Sequence, residues 1–104
     1  MIVGVGGIGK RHLQSILKLK FNKIIYLVDL YINSDDIHNH FNYNKNFNRI
    51  ICLKYIPNKT KINFAVVSTN IDSRFKITKK IINNTLCKNI LLEKIVFNSF
   101  KDLR

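Results

Sequence analysis

The glycine-rich segment at residues 4–9 constrains the fold of this chain more than any other feature. Asp29 closes the next apolar run, 20 residues after the last of these glycines. That is the spacing of a dinucleotide-binding βαβ unit, in which each glycine has a physical role. Gly4 lets a strand turn tightly into a helix, Gly6 lets the backbone approach a pyrophosphate, and Gly9 lets the helix lie close to the sheet.

The start of the predicted first helix is a candidate phosphate site. Its free N–H groups and the positive end of its dipole attract anions, so Gly7 and Ile8 join the candidate cofactor ligands. Asp29 would accept hydrogen bonds from the ribose hydroxyls and repel a 2′-phosphate. The sequence therefore predicts NAD rather than NADP. The alternative for Asp29 is an aspartate that only ends a strand.

Length and charge limit the classes of protein that fit. A chain of 104 residues makes one small domain, which would bury about 65% of the surface of its unfolded chain. The net charge of +12 would suit a polyanion partner, but Ile (17), Lys (14) and Asn (14) dominate the composition and Arg supplies only 4 residues. Basic residues form no run of five or six and match no nucleic-acid-binding motif. We therefore expect no nucleic-acid partner.

Metal, disulfide and membrane roles find no support in the sequence. Cys52 and Cys87 lie 35 residues apart without a CxxC motif, and His38 and His40 would point about 200° apart on a helix. The first strand begins at residue 2, and no apolar stretch approaches the ~18 residues of a membrane span. These observations predict a cytoplasmic protein with no metal site and no membrane contact.

Apolar runs separated by helical periodicity predict an α/β fold. The fold class is a Rossmann-type, doubly wound parallel sheet of about five strands, at residues 1–5, 24–29, 49–55, 64–69 and 89–93. A helix over residues 8–19 would bury Gly9, Leu13, Ile16 and Leu17.

Three segments between the strands are predicted as follows. Residues 31–48 read mainly as a loop, with a short helix capped by Ser34, and residues 57–63 as an extended connection or one helical turn. A helix capped by Asp72 or Ser73 would bury Ile71, Phe75, Thr78 and Ile82 and expose its lysines.

Four features follow the strands of this predicted sheet. They are the glycine turn, Asp29, the Thr69-Asn70 pair and Lys94. Because ligands of open parallel sheets bind beyond the carboxyl ends of the strands, we expect all four at one edge. A lysine desolvated beside an oxidised nicotinamide has a lowered pKa and can exchange a proton with a substrate hydroxyl, which would be the role of Lys94. The alternative for Lys94 is an ordinary surface lysine.

Three segments, in this order and spacing, resemble a known family. GVGGIGKRH (4–12), VVSTNIDSRFKITKKIINN (66–84) and KNILLEKIV (88–96) are similar to the amino-terminal domain of the glucose-fructose oxidoreductase and inositol dehydrogenase family, Gfo/Idh/MocA. The resemblance implies an NAD(P)-dependent oxidoreductase that transfers hydride to or from a sugar, cyclitol or related hydroxylated compound. It adds Ser68, Thr69, Asn70 and Glu93 to the cofactor-binding candidates and implies that Lys94 is catalytic.

The chain departs from the family pattern in three positions and in length. Ile95 replaces the usual proline after Glu-Lys, Asn70 replaces a proline, and Arg74 stands where a histidine is common. These 104 residues correspond to the amino-terminal domain alone, and residues 99–102 have the form of a capping box, which predicts the start of a helix two residues before the given sequence ends. We therefore expect a truncated domain over residues 1–104, inactive by itself and completed by a separate substrate domain or a homo-oligomer. The alternative is a non-catalytic NAD-sensing module coupled to a partner, which would not need Glu93 and Lys94.

Overall fold

The computed structural model describes residues 1–92 and has α/β architecture. Seven strands and three helices follow one another as β1 (Ile2–Val3), α1 (Gly7–Leu17), β2 (Lys23–Val28), α2 (Ser34–His40), β3 (Asn48–Leu53), β4 (Thr60–Ile62), β5 (Ala65–Val67), α3 (Ile71–Asn84), β6 (Thr85–Cys87) and β7 (Ile90–Leu92). Each of the five predicted strands is present, and most are shorter than predicted. Glu93, Lys94, Ile95 and the predicted terminal helix lie outside the described residues.

Five strands form one parallel sheet in the order β3-β2-β1-β5-β7. The chain winds from β1 outward to β3, then returns past β1 to β5 and winds in the opposite direction to β7. The strand order therefore reverses between β1 and β5, where Val3 pairs with Val67. This is the switch point at which doubly wound sheets bind ligands, and the predicted fold class is confirmed.

The two consecutive residues of the central strand β1 point to opposite faces of the sheet and belong to two separate hydrophobic cores. Ile2 packs with Leu13 of α1 and Ile37 of α2, whereas Val3 packs with Ile81 of α3. The sheet is thus covered by helices on both faces, as the near-continuous apolar runs predict. The buried face of α1 is also as predicted: Gly9 and Leu13 are buried, and Ile16 and Leu17 pack against the same layer.

The predicted caps of the other two helices are wrong. Asn33, not Ser34, caps α2, because its side chain accepts hydrogen bonds from the N–H groups of Asp35 and Asp36. Asn70, not Asp72 or Ser73, caps α3 and accepts from the Ser73 N–H at 3.1 Å. Both asparagines have extended backbone, the conformation that brings a side-chain oxygen to the first-turn N–H groups.

The predicted apolar face of α3 is partly wrong. Ile81 is completely buried and Ile77 packs beside it, whereas Ile82 is 63% exposed. Ile81 and Ile82 are neighbours in sequence and differ by about 100° around the helix. Either one satisfies the helical period, and only the contact of α3 with the sheet selects Ile81. The lysines of α3 are exposed as predicted.

A small second sheet joins β4 to β6 in parallel, with Thr60 opposite Thr85 and Ile62 opposite Cys87. The connection before β5 is thus extended, one of the two predicted forms, but its pairing partner β6 was not predicted. Lys59, with φ of 53°, donates its N–H to the Asn84 carbonyl at 2.6 Å and aligns the two strands. In the part of the chain described, no helix combines the length and apolar character that a membrane crossing requires.

Candidate functional site

The glycine-rich loop connects β1 to α1 at the switch point. Gly4 has a φ of +90°, which side chains rarely allow, and its N–H donates to the Val28 carbonyl at 2.8 Å. A Cβ on Gly4 would lie 2.8 Å from the Thr69 nitrogen and 2.9 Å from Thr69 Cγ2. Gly4 therefore lets the loop turn and also lets it contact the end of β5.

Gly9 lets α1 pack directly on the loop that precedes it. A Cβ at this position would overlap the Gly4 carbonyl oxygen and lie 3.0 Å from Ser68 Oγ. Ser68 Oγ itself donates to the Gly4 carbonyl at 2.6 Å. The first and last glycines of the motif are thus required by packing inside the protein.

Close packing does not explain why residues 6 and 7 are glycines. Apart from its chain neighbours and the backbone of α1, a Cβ on either residue would meet no atom of residues 1–92 within 4 Å, and both residues are exposed. Gly6 caps α1 without a side-chain hydrogen bond, and the first turn carries no acidic residue. Ile8, in this turn, is also exposed. The open space and the uncapped N–H groups suit a pyrophosphate, whose approach a side chain on Gly6 would obstruct.

Asp29 lies directly after β2 at the same edge of the sheet. Its Oδ2 accepts a hydrogen bond from the Val5 N–H at 2.8 Å, and its Oδ1 accepts from the Tyr31 N–H at 3.0 Å. A carboxylate has about four acceptor positions, so two backbone donors leave room for a further pair. Asp29 can therefore hold the glycine loop and accept ribose hydroxyls together. The bond to Val5 was not predicted, because a backbone donor leaves no signal in the sequence.

The segment after β5 lies beside the glycine loop. Ser68 contacts Gly4 through its hydroxyl, while Thr69 Oγ1 is buried and finds no hydrogen-bond partner among residues 1–92. The Asn70 side chain is already engaged in capping α3. These three residues thus lie at the predicted edge. Their contact with a cofactor stays a prediction, as it does for the other proposed ligands.

Arg74 also contacts the segment after β5, although it was not a predicted site residue. Its Nε–H donates to the Thr69 carbonyl at 3.0 Å in a partly buried contact. The sequence marked Arg74 only as a departure from the family pattern. That departure is the one signal that could have drawn attention to it.

Lys94 and Glu93, the remaining predicted site residues, lie outside the described residues. The strand before them, β7, pairs in parallel with β5, and Leu92 is opposite Val67. The carboxyl end of β7 is therefore at the same edge as Gly4 and Asp29. The roles predicted for Glu93 and Lys94 stay predictions.

The histidines of α2 make hydrogen bonds within their own segment of the chain. His38 Nδ1 lies 2.8 Å from the Tyr43 hydroxyl, and His40 Nδ1 donates to the Asp36 carbonyl. Within residues 1–92, no three residues among His, Cys, Asp and Glu come together as metal ligands would. Burial raises the pKa of the Cys52 thiol, and a hydrogen bond with Ser34 partly opposes that rise. A surface groove of about 370 Å³ near His40 is lined by the last turns of α1 and by Phe41, away from the glycine loop.

Comparison with known proteins agrees with this geometry. The whole chain, residues 1–104, matches the family described as an oxidoreductase family with an NAD-binding Rossmann fold. No curated protein and no solved structure matches the chain significantly. The matched domain is the one that the glycine loop, the strand order and the switch point define in the structure. The chain therefore belongs to the GFO/IDH/MocA family of oxidoreductases and carries its NAD-binding Rossmann domain.

Proposed function

We propose that this domain binds NAD in preference to NADP. The Asp29 carboxylate carries the proposal, because it lies at the carboxyl edge of the sheet and contacts the glycine loop through Val5. Its unused acceptor positions suit the two ribose hydroxyls of NAD. The additional 2′-phosphate of NADP would place negative charge beside this carboxylate, in partly buried surroundings where water screens the repulsion poorly.

We further propose that the domain serves an oxidoreductase acting on a sugar, cyclitol or related hydroxylated compound. Bound NAD supplies the hydride acceptor. The backbone N–H groups at the start of α1 hold the pyrophosphate, and Asp29 holds the ribose. Lys94, two residues after β7 in the sequence, would exchange a proton with the substrate hydroxyl.

Substrate contacts are expected to come from outside residues 1–92, from another segment, a separate substrate domain or a second copy of the chain. The described site residues are glycines, one carboxylate that holds the loop, and polar side chains engaged with the backbone. These groups can bind a dinucleotide, but they do not form a pocket for a polyol. We also propose that the isolated chain binds cofactor without turning over polyols.

Fluorescence titration with NADH and NADPH tests the proposed cofactor. We expect saturable binding of both cofactors, with the tighter affinity for NADH. Equal or tighter binding of NADPH would contradict the assignment of Asp29. A polyol dehydrogenase assay on the same sample tests the expected inactivity of the isolated chain, and turnover by the monomeric chain would contradict that expectation.

A further inference from the structure

Arg74 makes a hydrogen bond that links the body of α3 to the segment before the helix. Its Nε–H donates to the Thr69 carbonyl at 3.0 Å, and the contact is partly buried. Thr69 precedes the cap residue Asn70, so its carbonyl lies outside the hydrogen-bond ladder of α3. The guanidinium supplies the partner that this partly buried carbonyl needs.

Thr69 in turn contacts the glycine loop. Its nitrogen and its Cγ2 define the space that a Cβ on Gly4 would fill, at 2.8 and 2.9 Å. The neighbouring Ser68 hydroxyl donates to the Gly4 carbonyl. A displacement of Thr69 would therefore change the surface against which the glycine loop packs.

The chemistry of arginine suits this role better than that of the other basic side chains. A hydrogen bond from a cationic donor is about twice as strong as a neutral one, and the planar guanidinium fixes the direction of Nε–H. The backbone of Arg74 is held as well, since its carbonyl accepts from Thr78 Oγ1 at 2.7 Å. The donor is thus attached to a well-anchored part of α3.

We propose that Arg74 is a positioning residue of the cofactor site. It holds the Thr69 carbonyl and so keeps the turn at residues 68–70 in place against Gly4, where the dinucleotide is proposed to bind. This inference rests on the proposed function. It assigns to Arg74 an effect on cofactor affinity that acts through Thr69.

The test compares Arg74→Ala and Arg74→Lys with the control Lys76→Ala, an exposed residue on the same helix. NADH affinity is measured by fluorescence, with urea unfolding of the same samples to give the folded fraction. Loss of a charge-assisted hydrogen bond should weaken NADH binding about tenfold per folded molecule in Arg74→Ala. Arg74→Lys should be weakened similarly because it keeps the charge but lacks Nε–H, while Lys76→Ala should bind as the unmodified chain does.

Hydrogen exchange without cofactor provides a second readout. Peptides covering residues 66–72 should exchange faster in both Arg74 variants and unchanged in Lys76→Ala. Full affinity in Arg74→Lys would show that charge alone matters and would overturn the proposal. Exchange rates unchanged in both Arg74 variants would also overturn it. Absence of NADH binding by the unmodified chain would instead contradict the proposed function, and with it the cofactor role of Arg74.

Discussion

The carboxylate of Asp29 accepts a hydrogen bond from the Val5 N–H at 2.8 Å, and this contact joins the end of β2 to the glycine loop after β1. The two residues are 24 positions apart in the chain. One side chain thus fixes the loop proposed to hold the pyrophosphate and is also the proposed ligand of the ribose. Cofactor affinity, cofactor choice and folding stability should therefore all respond to changes at Asp29.

Asp29→Asn tests whether Asp29 affects cofactor affinity, cofactor choice and folding stability. The amide keeps the shape but replaces one acceptor oxygen with a donor, which must face either the Val5 N–H or the Tyr31 N–H. We expect a loss of about 1–3 kcal/mol in the free energy of unfolding and about tenfold weaker NADH binding. The preference for NADH over NADPH should shrink. Asp35→Asn removes the same charge from an exposed position and should leave both affinities unchanged.

Gly6→Val separates cofactor binding from folding. Apart from its chain neighbours, a Cβ at Gly6 would meet no atom of residues 1–92 within 4 Å, so the variant should fold and lose only about 1 kcal/mol from a poorer helix cap. The added side chain would occupy the approach of the pyrophosphate, and NADH binding should disappear. Urea unfolding and fluorescence titration measure the two effects. Retained affinity would mean that Gly6 only makes a turn.

Gly9→Ala, in contrast to Gly6→Val, should mainly destabilise the folded domain. Its Cβ would overlap the Gly4 carbonyl, and neither backbone segment can move without shifting α1 from the sheet. The strain should lower the free energy of unfolding by about 3 kcal/mol. For a domain of this size, this is a large share of the total stability. A thermal melt unchanged from that of the unmodified chain would contradict the close packing of α1 on the loop.

Cys52 should make the stability fall at alkaline pH. Its thiol pKa is raised above 9.0 in the folded protein, chiefly by burial. Above pH 9 the unfolded chain releases this proton first, so the folded state binds more protons and the free energy of unfolding decreases with pH. Below pH 9 the effect is absent. Urea unfolding at pH 8 and pH 10 should show a smaller decrease in Cys52→Ala than in the unmodified chain, and an equal decrease would contradict the shift.

The five strands of the main sheet, the helices α1 and α3 and the dinucleotide motif could be predicted from the sequence because they depend on neighbouring residues. Apolar runs identified the five strands of the main sheet, and helical periodicity identified the buried face of α1. The glycine spacing and Asp29 predicted a binding edge, and the structure places both at the carboxyl edge of the sheet, where Asp29 contacts the glycine loop. These features follow from local backbone chemistry and from side-chain periods of 2 and 3.6 residues.

The contacts that assemble the site were decided only by the tertiary structure. The pairing of Asp29 with Val5, the bond from Arg74 to Thr69, and the β4–β6 sheet each join segments whose partners are not marked in the sequence. The same holds for the choice of Ile81 over Ile82, since both fit the helical period. The sequence alone determined which residues form the five strands of the main sheet, the helices α1 and α3, and the glycine turn. Which of them meet was decided by packing of the sheet, because burial and hydrogen-bond partners exist only once distant segments are brought together.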